Sequence, residues 1–198
     1  GLHYADQFNY DHVQFDAPFR PERYAESIAQ VDKQGYPVIV VDSMSHEHAG
    51  DGGLLDWHEE EFKRMGSRDA VKMAAWIAPK TGHKKMVTKL LQVRAHLILC
   101  FRAEEKIEIV KVNGRTEVQK KQTGTGLDGW VPICEKNLPY EATCSFLLLA
   151  TRPGVPLPIK LQAQHRPIFP DGALIDEQAG QRLAAWAGGA EVKRATPS

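Results

Sequence analysis

Asp42 closes the run PVIVVDS (37–43), in which four β-branched residues precede the carboxylate. In open α/β sheets ligands sit beyond the carboxyl ends of the strands. A carboxylate in that position can hold a magnesium ion, usually through water. His46, Glu47 and His48 follow at once in SMSHEH (43–48). A glutamate beside a metal would polarise water for attack on a γ-phosphate, and His46 would sense that phosphate. The same stretch also reads as a solvated polar loop, or as a three-ligand metal site of Asp42, His46 and His48. Arg102 ends HLILCFR (96–102), and Lys106 follows shortly after. Cations at such an edge would stabilise charge on a transferring phosphoryl group, or pair with Glu104 and Glu105 at the surface. A basic set comprises Lys80, His83, Lys84, Lys85 and Lys89, with Arg115, Lys120 and Lys121 further on. It could follow a nucleic-acid backbone or be plain solvated surface. Trp130, beside a glycine-rich stretch, would stack on a base or sit in the core.

The elements that must position these residues read as follows. YDHVQF (10–15) alternates like a short strand. Pro21 opens a helix to about Lys33, with Tyr24, Ile28 and Val31 on one face and Gly35 at its end. PVIVVDS reads as a strand buried on both faces, completing a right-handed βαβ unit. Residues 54–65 and 70–77 look helical. Pro79 and Gly82 mark a break before a basic amphipathic helix, 83–93, whose Met86, Leu90 and Val93 face the core. HLILCFR is a second buried strand. Residues 106–121 form a hairpin around Asn113-Gly114. A flexible link (122–129), a third buried strand (143–150), a short edge strand IKLQAQ (159–164) and a closing helix (175–186) complete the chain before a disordered tail.

Composition narrows the class. The 25 basic and 25 acidic residues cancel, so no global charge argues for nucleic acid. Hydrophobic residues make up 42%, enough for a core. Three widely spaced cysteines, Cys100, Cys134 and Cys144, read as buried thiols of a reducing compartment. No apolar run is long enough to span a bilayer, and no signal peptide is visible. GxxxxGK[ST], HExxH and GxSxG are all absent. The first residues, 1–6, read like the interior of a longer protein.

The stretch VIVVDSMSHEHAGDGGLLDWH resembles the phage-encoded ATP-binding proteins with a RecA-type AAA core, relatives of phage single-strand annealing proteins. APFRPERYAESI, HLILCFRAEEK, VPICEKNLPYEAT and HRPIFPDGALIDEQAGQRLAAW are similar to family segments in the same order, over about residues 4–186. The resemblance implies an α/β fold: a mostly parallel P-loop NTPase-type sheet flanked by helices, with an inserted β-hairpin. It implies one domain over 1–187, lacking the first strand, P-loop and first helix at its N-terminus, with a tail from 188 to 198. Asp42 would be the Walker B acid and magnesium contact, with Ser43 beside it. His46 and Glu47 would lie near the γ-phosphate, and Arg102 and Lys106 would be sensor or finger residues. The expected function is ATP binding or hydrolysis in phage DNA recombination or replication, dependent on an upstream P-loop. Expected partners are single-stranded DNA and further copies of the chain, in the cytoplasm of a bacterial host. The alternative is a non-catalytic module for single-stranded DNA or self-assembly, using Lys84, Lys85, Lys89, Arg115, Lys120 and Lys121.

Overall fold

The computed structural model describes residues 6–123, 127 and 129–189. The chain divides into two compact units, with the division after Arg102. The fold is mixed α/β, and its strands form four two-stranded sheets, one parallel and three antiparallel. An extended parallel sheet is not formed by the described strands.

In the first unit, helix α1 (Pro21–Lys33) begins at a proline, whose missing N–H would have no helical acceptor there. Tyr24, Ala25 and Ile28 are its buried face. Asp32 near its end accepts from the Arg94 and Ala95 N–H groups at 3.1 and 2.9 Å, tying the helix to a distant loop. Strand β1 (Val38–Val41) follows, then the short helix α2 (Ser45–Ala49), helix α3 (Leu54–Arg64) and helix α4 (Ile77–Leu90). Strand β2 (His96–Leu99) runs parallel to β1, with Val40 opposite Ile98. Ile39, Val41, Leu97 and Leu99 join Tyr24, Ile28, Met44, Met86 and Leu90 in one core.

Several expectations are corrected here. β1 and β2 are covered on one face only; Val40 is 60% and Ile98 50% exposed on the other. YDHVQF forms no strand, because no partner strand lies beside it and Phe15 packs instead against Phe19 and Tyr24. The parallel pair is therefore β1 with β2, connected through α2, α3 and α4. Residues 69–76 form two 3₁₀ turns, Asp69–Val71 and Ala74–Trp76, rather than one helix. The expected break at Pro79 and Gly82 does not occur. Pro79 lies in the first turn of α4, where an N–H is not needed, and Gly82 lies against Trp57. A Cβ at Gly82 would stand 2.6 Å from the Trp57 ring and 2.8 Å from Glu22 Oε1. Gly82→Ala is therefore expected to destabilise the protein by about 1–3 kcal/mol despite its better helix propensity, as read by denaturant unfolding. An unchanged or raised midpoint would show that Trp57 gives way freely.

The second unit is built from short strands. β3 (Ala103–Glu105) pairs antiparallel with β6 (Trp130–Pro132). Between them β4 (Ile107–Val112) and β5 (Arg115–Lys120) make the expected hairpin. Asn113 and Gly114 take φ of +50° and +78°, the left-handed pair that a two-residue turn between twisted strands requires. A short helix α5 (Leu138–Glu141) precedes β7 (Ser145–Leu148), which pairs antiparallel with β8 (Pro156–Lys160). Of the β7 residues only Leu147 is buried, so the expected third buried strand is half-covered. The expected edge strand (159–164) begins earlier, at Pro156, and residues 163–165 form a 3₁₀ turn. Helix α6 (Glu177–Ala187) is capped by Asp176, whose side chain accepts from the Ala179 N–H at 2.9 Å. Half of the expected flexible link (124–126 and 128) and most of the tail (190–198) lie outside the described residues. Among the described residues no helix is long and apolar enough to cross a membrane.

Candidate functional site

Of the sequence-predicted residues, Asp42, Ser43 and Arg102 meet at the rim of the β1–β2 pair. Past the ends of the strands the chains stay bonded. The Cys100 N–H donates to the Val41 carbonyl at 3.0 Å, and the Met44 N–H to the Cys100 carbonyl at 2.8 Å. Met44 is fully buried beneath this crossing. The Ser45 N–H then donates to Ser43 Oγ at 3.1 Å, and the Arg102 N–H donates to Ser45 Oγ at 2.8 Å. Asp42, Ser43, Ser45 and Arg102 are thus brought to one edge by backbone and hydroxyl bonds. The Asp42 and Arg102 side chains are exposed there. The Cys100 thiol is held above its ordinary pKa by burial first and by the Asp42 charge second. The Asp42–Ser43 peptide is cis.

His46 and Glu47 part company. The His46 ring stacks on Phe19 with centroids 4.9 Å apart, and its Nδ1 lies 3.3 Å from the Ser43 carbonyl. Glu47 turns inward and is completely buried. Its Oε1 lies 2.9 Å from Nδ1 of His83 on α4, which is also buried. Its Oε2 is buried with no hydrogen-bond partner among the described residues. Nearby, the Tyr24 hydroxyl donates to the Ser43 carbonyl at 3.4 Å. Burial, and next the Glu47 carboxylate, pushes the Tyr24 pKa up to about 12. The phenol therefore remains a donor at neutral pH.

This changes the role of two residues. Glu47 does not reach the exposed rim where a water-activating base would be needed. His83, placed by sequence on the basic surface, belongs to the interior. The signal was present: His83, Met86 and Leu90 are spaced three and four apart, on the face that enters the core.

The remaining candidates are distributed as follows. Lys80, Lys84, Lys85 and Lys89 are exposed on α4. Lys106 belongs to the second unit, where its Nζ is 2.7 Å from Glu104. Arg115, Lys120 and Lys121 are exposed on or just after the hairpin, with Lys120 2.8 Å from Glu105. Trp130 is half-buried on β6. A cavity of about 420 Å³ lies between α3 and α4, lined by Trp57, Met65, Ala78 and Gly82 among others. Of the predicted residues it includes only Lys85.

Among the described residues no three His, Cys, Asp or Glu side chains gather into a metal-holding group, so the three-ligand site of Asp42, His46 and His48 is not formed. The His46 ring is instead occupied by its stack on Phe19 and by the Ser43 carbonyl. For magnesium and ATP, the rim supplies one carboxylate and one guanidinium. The 198 residues contain no GxxxxGK[ST] to wrap phosphates. The chain matches no protein-family model, no curated protein and no solved structure.

Proposed function

We propose that this chain is part of a RecA-like, ATP-binding phage protein that acts in DNA recombination or replication in the cytoplasm of a bacterial host. The observation that supports this reading is the meeting of Asp42, Ser43, Ser45 and Arg102 at the carboxyl rim of a parallel strand pair. Parallel α/β sheets place ligands at that edge. Asp42 is suited to a water-mediated magnesium contact, and Arg102 to an anionic phosphate. The reading requires a phosphate cradle from outside these residues, and with it RecA-like architecture around β1 and β2. Magnesium-dependent ATP binding by the full-length protein tests it, and a protein that binds no ATP would refute it.

A second reading rests on α4. Lys84, Lys85 and Lys89 are exposed within six residues of one helix. They enter no ion pair among the described residues. Such a face suits the backbone of single-stranded DNA without any nucleotide. Replacing all three by Glu is expected to weaken oligonucleotide binding at least about tenfold and to flatten its salt dependence. Equal affinity in the triple variant, measured by fluorescence anisotropy across a salt series, would remove α4 from the DNA contact.

A further inference from the structure

The β4–β5 hairpin is a two-stranded sheet with no third strand among the described residues. An isolated hairpin is marginally stable, and its open edges attract another strand. The acids of the hairpin are confined to one of its faces. Cross-strand pairing puts Ile107, Ile109, Lys111, Thr116, Val118 and Lys120 on one face. That face holds no acid, and Ile107, Ile109 and Val118 are 67%, 72% and 63% exposed. Both hairpin acids, Glu108 and Glu117, lie on the other face.

The backbone defines which edge is open. The Lys121 N–H donates to the Lys106 carbonyl at 2.9 Å, extending the ladder beyond the Ile107–Lys120 pair. Antiparallel partners exchange bonds at alternate residues. With Val112 and Arg115 closing a two-residue turn, Glu108, Val110 and Val112 face β5 with their N–H and C=O groups, while Lys106 accepts from Lys121 on that side and donates its N–H to the Gly129 carbonyl at 2.6 Å. Those of Ile107, Ile109 and Lys111 therefore point away from β5.

We infer that β4 pairs antiparallel with β4 of a second copy about a two-fold axis at Ile109, giving a four-stranded sheet. The occupant of such an edge must be a strand, because only backbone groups match this spacing. A second copy fits because β4 complements itself in this register. Ile109 meets Ile109 of the second copy, and Ile107 meets Lys111, whose aliphatic stem can lie along an isoleucine. A register centred on Glu108 would set two carboxylates directly opposite, and one centred on Lys111 would set two ammonium groups opposite. Pairing at Ile109 avoids both and, unlike a register centred on Val110, bonds all three outward-facing residues, Ile107, Ile109 and Lys111. The contact is small, so the dimer is concentration-dependent rather than permanent.

Sedimentation velocity of the full-length protein over a concentration series tests this. The expected result is a shift from the mass of one chain to that of two. Ile109→Pro removes an N–H that does not serve β5, so it leaves the hairpin bonded while blocking the new pair. Ile109→Lys places two cations at the axis. Both variants should remain at the mass of one chain. Val118→Lys strips the same apolar face but lies on β5, away from the open edge, and should still dimerise. A protein of single-chain mass at every concentration would overturn the inference. Association that survives both Ile109 variants would do the same, as would equal loss in Val118→Lys, which would assign the contact to the face rather than the edge.

Discussion

Glu47→Ala should lower the stability of the first unit by about 1–3 kcal/mol, the range for leaving one partner of a buried hydrogen bond unsatisfied. Glu47 is completely buried, and its contact with His83 joins α2, immediately after the rim, to the middle of α4. The substitution removes the carboxylate facing the His83 ring and leaves a cavity beside Tyr24 and Met44. Glu47→Gln should cost much less, because an amide oxygen can still meet a ring N–H. A cycle with His83→Ala should give a coupling of about 0.5–3 kcal/mol, as expected for residues in contact. Denaturant unfolding followed by tryptophan fluorescence, with Trp130 and Trp186 replaced by Phe so that Trp57 and Trp76 alone report, reads the unit that contains the pair. A loss below about 1 kcal/mol for Glu47→Ala would show that the pair does not hold α2 against α4.

That pair also marks the limit of what could be read from the chain. α1 was legible to the residue, because Pro21, the Tyr24–Ile28–Val31 stripe and Gly35 all agree. The hairpin was legible because Asn113-Gly114 admits few other conformations. β1 and β2 were legible as strands, and their parallel pairing brought Asp42 and Arg102 to a common edge. Their environment was not. VIVV is apolar on both sides, and HLIL is so apart from His96, which predicts two covered faces, yet the described fold covers only one. Pro79 misled because its effect depends on its distance from the helix start, and the start at Ile77 has no side-chain cap to announce it. Glu47 misled more deeply. Three titratable residues in SHEH look alike in sequence, and only the packing of α4 decides that the glutamate turns inward while His46 stacks on Phe19. A carboxylate chosen for chemistry by its neighbours in sequence can be claimed by a histidine thirty-six residues away.

The largest effect on binding is expected at Asp42. Among the rim side chains it is the carboxylate that stays exposed, since Glu47 is withdrawn into the core. Removing it leaves the exposed guanidinium of Arg102 to meet the phosphates without a carboxylate to retain magnesium. The proposed reading therefore predicts a loss of about 100-fold in affinity for magnesium–ATP in Asp42→Ala, which corresponds to about 2.7 kcal/mol. The same variant should be nearly neutral for folding, because the side chain is at the surface. Its fold can be checked by the unfolding curve used for Glu47.

Equilibrium titration of the full-length protein with ATP, with and without magnesium, in wild type and Asp42→Ala, tests the central claim most directly. The account predicts magnesium-dependent binding in the wild type, and its near loss in the variant. Wild-type protein that binds no ATP, or a variant that binds as tightly as wild type, would contradict it.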